Sequence, residues 1–121
     1  MMRLMRFLIA LLAFSAGSAT AQDWAVRGAD RLLTKLEVER LTAGRTLVFY
    51  DDGRSKFSVG GAYSYTYAQG GTAYGYFEIK ENGTICISFR NGFARCDRYV
   101  EASGRIVMLT SKGERFPVRP P

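Results

Sequence analysis

Thr84-Ile85-Cys86-Ile87-Ser88-Phe89-Arg90-Asn91-Gly92-Phe93-Ala94-Arg95-Cys96 decides the fold. It reads as a β-hairpin joined across its strands by the chain's two cysteines. Its loop fixes its register. A two-residue Asn-Gly loop sets Ile87 opposite Cys96 and leaves Cys86 diagonal to its partner. A three-residue loop, Arg90-Asn91-Gly92, ends in glycine at the left-handed position of a type I turn with a G1 bulge. That loop sets Phe89 opposite Phe93, Ser88 opposite Ala94 and Cys86 opposite Cys96. The cysteines then fall at a non-hydrogen-bonded pair, where Cα atoms approach to roughly 4.5 Å. A disulfide spans that distance. Two cysteines without histidine are too few for a closed zinc site, and there is no C-x-x-C spacing.

Outward from the hairpin, the chain from Thr46 onward alternates β-rich runs with turn signals. Five turns share the form of two residues then glycine: Asp51-Asp52-Gly53, Glu81-Asn82-Gly83, Arg90-Asn91-Gly92, Ala102-Ser103-Gly104 and Ser111-Lys112-Gly113. A three-residue loop at Glu81-Asn82-Gly83 sets Ile79 opposite Ile85 and Phe77 opposite Ile87, apolar partners on one face. The same loop at Ala102-Ser103-Gly104 sets Glu101 opposite Arg105 and Val100 opposite Ile106. The expectation is a mainly β domain, an antiparallel meander of about 6–7 strands near 46–50, 55–67, 73–80, 84–89, 93–101, 105–110 and 114–118. Such a meander curls into a small barrel or half-barrel, which limits exposed edges. Pro117-Val118-Arg119-Pro120-Pro121 cannot sustain a ladder and is expected to fray.

Toward the N-terminus, Thr34-Lys35-Leu36-Glu37 fits a capping box, and Gly44 stands where a helix stops. One short helix is expected over 35–43, with a start as early as Asp30 also open; it plugs one end of the barrel. Trp24, the single tryptophan, either caps the core or marks a ligand mouth.

Residues 1–21 read as a secretory signal peptide: Arg3 and Arg6, then the apolar run Phe7–Phe14, then Ala19-Thr20-Ala21 as an A-x-A cleavage site. The run is shorter than the roughly 20 residues a membrane span needs. The mature domain is then 22–121, with no transmembrane span, and its location is the periplasm of a Gram-negative bacterium or the medium. Export to an oxidising space agrees with paired cysteines. Losing Arg3 and Arg6 lowers the formal charge from +6 to +4. That is mildly basic and does not signal nucleic acid.

The chain contains no histidine. This removes Ser-His-Asp and Cys-His catalysis and most transition-metal sites, and no cofactor is implied. Asp51-Asp52 suits its turn. Glu78 and Asp97 are the carboxylates left for a two-acid hydrolase, and a solvated strand face near Arg95 and Arg98 explains them equally well. Tyr63-Ser64-Tyr65-Thr66-Tyr67 alternates strictly, and Tyr74 and Tyr76 follow at the same period. Five phenols on neighbouring strands would line a ligand cleft, or fill and face a Tyr-rich sheet. The glycines among them mark bulges, a loop or bending. Arg90, Arg95, Arg98, Arg105, Arg115 and Arg119 make the C-terminal half basic. Arg95 and Arg98 point to opposite faces of a regular strand. Arg90, at a hairpin tip, is solvated or meets an anionic envelope polymer or a lipid phosphate.

The order of these features resembles a family of small exported bacterial domains of unknown function. The residues that carry the resemblance are Leu41-Thr42-Ala43-Gly44-Arg45-Thr46, Asp52-Gly53, Gly75-Tyr76-Phe77, Cys86 and Cys96. No catalytic residues come with it. The pattern also looks a little like periplasmic lysozyme-inhibitor barrels; those bind a basic enzyme, which a basic chain would repel. The expected function is a non-enzymatic binding module for an envelope glycan, a small molecule or a periplasmic protein. The alternatives are an envelope component held to anionic surfaces and a carboxylate hydrolase.

Overall fold

The computed structural model describes residues 24–121; the signal-peptide segment lies outside them. The elements are β1 (Asp30–Leu32), α1 (Lys35–Thr42), β2 (Thr46–Val48), β3 (Arg54–Phe57), β4 (Ala62–Thr66), β5 (Thr72–Ile79), β6 (Ile85–Phe89), β7 (Ala94–Ala102), β8 (Arg105–Thr110) and β9 (Arg115–Pro117). Strands β2 to β9 follow one another in an antiparallel meander, an eight-strand half-barrel, and β1 pairs with the far part of β7.

The cysteine hairpin has the expected register. Cys86 faces Cys96 with Cα atoms 4.0 Å apart, and the two are disulfide-bonded. Phe89 N–H donates to the Phe93 carbonyl, and Gly92 takes φ +91°. Ile79 faces Ile85 and Phe77 faces Ile87, as the turn at Glu81-Asn82-Gly83 dictates.

Several expectations are corrected. The run 55–67 is two strands, not one. Gly60 and Gly61 both take positive φ, and the Ser58 carbonyl accepts from Gly61 N–H, so the chain reverses at Val59-Gly60-Gly61. At Ala102-Ser103-Gly104 the loop has two residues, because Ser103 and Gly104 are both left-handed (φ 51° and 80°), as a type I′ turn requires. The register therefore shifts: Val100 faces Val107 and Glu101 faces Ile106. In the first hairpin Asp52, not Gly53, takes positive φ, so the loop is Tyr50-Asp51-Asp52. Its Asp51 carboxylate accepts from Gly53 N–H, the local bond that makes aspartate a turn residue. Asp30–Leu32 is a strand, and the helix begins at Lys35, where the capping box places it.

The C-terminal segment does not fray at Pro117. Val118 N–H donates to the Ile106 carbonyl, which directs the missing N–H of Pro117 away from β8. Val118 then bridges Phe49 of the opposite edge, and Arg119 N–H donates to the Val48 carbonyl. That single bridge ties the first strand of the meander to the last.

The interior face carries Phe57, Tyr63, Ile85, Ile87, Tyr99 and Met108. Gly75 stands between Tyr63 and Phe89 in adjacent strands, and their rings meet across it at 5.9 Å. A Cβ there would strike the Ser88 carbonyl oxygen, so this glycine serves close approach rather than a bulge. Helix α1 buries Val38 and Thr42. It sits at the barrel end that carries the 59–61 and 81–83 turns, where Lys35 pairs with Glu81 at 3.0 Å. On the outer face Val100, Val107 and Leu109 form a second cluster under Trp24. Arg115 anchors that covering segment: its guanidinium holds the Asp30 carboxylate through 2.6 and 3.0 Å bonds and donates to the Ala25 carbonyl. Trp24 thus covers sheet surface, away from any mouth.

Candidate functional site: the open mouth of the half-barrel

The helix occupies one end of the half-barrel. The other end, ringed by the turns at 50–52, 68–70, 90–92 and 111–113, holds a cleft of about 390 Å³. Phe49, Met108 and Phe116 give it an apolar floor, and Tyr65 and Tyr67 form one wall, their rings 5.0 Å apart and edge to face. Asp51, Lys112 and Glu114 stand at the rim beside Thr110 and Ser111.

The polar centre is Arg95. Strand alternation sends Arg95, Asp97 and Tyr99 inward, since Ile87 faces Arg95 and Ile85 faces Asp97 across the hairpin. The Arg95 side chain lines the cleft and is one-third exposed, although its Nε is buried. Its Nη2 donates to the Tyr63 hydroxyl at 3.0 Å, and that hydroxyl shares a 2.9 Å bond with Ser55 Oγ. The guanidinium carbon lies 5.4 Å from the Tyr65 ring centroid and 5.7 Å from that of Phe89. Cation–π attraction of this kind fixes the guanidinium plane.

Arg95 Nε lies 3.2 Å from Asp97 Oδ2, and the Asp97 side chain is 3% exposed. Burial disfavours its charge; the neighbouring Arg95 opposes that, and the balance leaves the carboxyl pushed up to about 6. Burial likewise pushes the Tyr63 phenol to about 12 and the Tyr99 phenol well above its ordinary range. For Arg95 burial is the largest influence and pulls down, but the combined fields of Asp97 and of Tyr63, Tyr99 and Tyr65 outweigh it and raise the group. Arg95 Nε, Asp97 Oδ1 and Tyr99 Oη are buried and have no hydrogen-bond partner among the described residues. Unsatisfied buried polar atoms are rare in folded proteins and concentrate where a fold serves something besides stability.

The five tyrosines do not share one cleft. Tyr63 is buried, Tyr65 and Tyr67 line the mouth, and Tyr74 and Tyr76 point outward and are exposed. The register explains this: Tyr74 faces Ser64 and Tyr76 faces Ala62, the outward positions of β4. Tyr74 instead lies under the Arg90 guanidinium at 5.5 Å. Glu78 and Asp97 also part company. Glu78 faces Cys86 and is solvated beside Lys80, whereas Asp97 faces Ile85 and is buried. They form no acid pair. Arg98, outward, donates to the Asn82 carbonyl at 2.6 Å. No group of three or more His, Cys, Asp or Glu that could hold a metal occurs among the described residues.

Arg95 as the centre of the site, with Phe49, Met108 and Phe116 as its floor, is new relative to the sequence reading. Its signal was present: once Cys86 is set opposite Cys96, Arg95 and Asp97 must share a face with Ile85 and Ile87.

No family model, curated protein or solved structure matches the chain.

Proposed function

We propose that this chain is an exported, non-enzymatic binding module that takes a small neutral polar ligand, a saccharide of the cell envelope, into the mouth of the half-barrel. The observation that carries the reading is the composition of the cleft. Tyrosine rings and an apolar floor accompany cations (Arg95, Lys112) and anions (Asp51, Asp97, Glu114) in near balance. A lining of mixed sign gives no net pull on an anion or a cation. It suits hydroxyl groups, which donate and accept at once, on a ring that stacks against tyrosine. A cleft of about 390 Å³ lies at the small end of the usual ligand range of roughly 300–1,000 Å³.

The signal-like start and the disulfide support a periplasmic or secreted setting. A hydrolase is disfavoured by the separation of Glu78 from Asp97. Of the arginines in the C-terminal half, Arg95, Arg115 and Arg119 are occupied by Asp97, Asp30 and Asp52, which leaves fewer free for attachment to an anionic surface.

A thermal-shift panel of neutral mono- and disaccharides at two salt concentrations tests this. The reading expects a saturable rise in Tm that salt leaves unchanged. A rise confined to polyanions at low salt contradicts it.

A further inference from the structure

The two edges of the meander meet at one point. Beyond the Phe49–Val118 bridge, toward the helix-plugged end, the edge of β2 is opposed by Arg119, Pro120 and Pro121. Two prolines in succession offer no N–H, so the ladder cannot extend past the Arg119 to Val48 bond. The result is a groove of about 260 Å³ along the seam.

Its chemistry differs from that of the mouth. Leu41, Leu47, Ile106 and Val118 line its apolar part. Arg45 and Arg105 stand at its rim, exposed, with no acidic partner among the described residues. Arg119 lines it by its stem, its guanidinium being held by Asp52 at 2.8 Å. No carboxylate side chain lines the groove. An apolar trough under two guanidinium groups that no acidic side chain pairs matches a hydrocarbon chain that ends in an anion.

We propose that the seam between β2 and the segment that follows β9 is a second binding site, for a single-chain anionic amphiphile of the fatty-acid type. The carboxylate meets Arg45 and Arg105, and the chain lies on Leu47, Ile106 and Val118. The volume falls below the roughly 300 Å³ at which drug-sized pockets begin, which favours one medium-length chain over a two-chain phospholipid. This site stands independently of the reading of the mouth.

The test is a ¹⁵N-NMR titration of the disulfide-bonded domain with decanoate below its aggregation concentration. Saturable shifts are expected at Leu47, Val48, Ile106 and Val118, with the mouth residues Tyr65 and Thr110 unmoved. Octanoate should bind about fifteenfold more weakly, since it lacks two CH₂ groups that contribute about 0.8 kcal/mol each. The Arg45→Gln, Arg105→Gln double variant should lose about tenfold in decanoate affinity, in line with the loss of charged hydrogen bonds. The chain-length series on the unaltered protein needs no variant. Equal affinity for decanol and decanoate would overturn the proposal, as would equal affinity for acetate, or shifts confined to the mouth. Sedimentation with phosphatidylglycerol vesicles without decanoate binding would also overturn it, in favour of a membrane surface.

Discussion

Arg95 and Asp97 share the inward face of β7, with Nε and Oδ2 3.2 Å apart, and the pair lies under the mouth of the half-barrel. A strand normally turns charges outward. Here the polar pair replaces two apolar residues at the place where the core ends and the cleft begins. Its hold on the fold runs through Tyr63, whose hydroxyl takes one bond from Arg95 and shares another with Ser55.

Replacing Tyr63 by phenylalanine keeps the ring contacts and removes that junction. Buried Ser55 and one arm of Arg95 then lose their partner. Urea unfolding should show a loss of about 1–3 kcal/mol, the cost of leaving a buried polar group unmade. An unchanged unfolding midpoint would mean that the phenol bonds hold nothing.

Asp97 sets a pH dependence. Its carboxyl holds its proton to about 6 in the fold, against an ordinary value of 3.8. Between those values the folded chain binds more protons than the unfolded one, so this group makes stability fall as pH rises from about 4 to about 6. Asp30 acts the other way. Its bonds from Arg115 and from the Arg27 N–H lower its carboxyl to about 2, so its contribution is present above 3.8 and is lost as pH falls toward 2. A ¹³C-carboxyl NMR titration should place Asp97 near 6, and Asp97→Asn should flatten the stability slope between pH 4 and 6. An Asp97 midpoint near 3.8 would contradict the burial argument.

Gly75 is expected to be intolerant of any side chain. Gly75→Ala would force the added Cβ against the Ser88 carbonyl and push β5 from β6. Overpacking of this kind costs typically about 1–3 kcal/mol. Gly28→Ala is the control: open space surrounds that position and its φ is one that other residues adopt. Melting curves should show the larger loss for Gly75→Ala. The reverse order would rule out close approach as the role of Gly75.

The Cys86–Cys96 bond should contribute about 2–4 kcal/mol, as cross-links of such loops do. The double serine variant should unfold at lower urea by that amount, and thiol titration of protein prepared under oxidising conditions should find none. Two titratable thiols would contradict the bonded hairpin.

Much of this fold was legible because glycines and hydrophobic parity agree. The three-residue loops at 81–83, 90–92 and 111–113 follow from a glycine that must be left-handed, and the cysteine register follows from one of them. Where the left-handed residue was not the glycine, as at Asp52, or where two residues were left-handed, as at Ser103-Gly104, the spacing alone misplaced the turn. The split of 55–67 was hidden because Phe57 and Tyr63 read as one continuous run; the reversal at Gly60-Gly61 brings their rings to 5.2 Å. The tyrosine cleft failed as a five-residue unit for a related reason. Period two within each strand gives no parity between strands until the loop at 68–70 is known, and that loop sends Tyr74 and Tyr76 outward. The buried ion pair was legible only through the hairpin register, since Arg95 and Asp97 carry charges that a strand usually gives to solvent.

On the proposed function the mouth, not the outer tyrosine face, takes the ligand. The most direct measurement is a ¹⁵N-NMR titration of the domain with the saccharide that gives the largest thermal shift, repeated on Tyr65→Ala and Tyr76→Ala. Shifts are expected at Tyr65, Tyr67, Arg95 and Thr110. Binding should be about tenfold weaker in Tyr65→Ala, the upper range for a lost aromatic contact, and unchanged in Tyr76→Ala. Shifts centred on Tyr74 and Tyr76, with Tyr65→Ala binding as well as the unaltered protein, would contradict it.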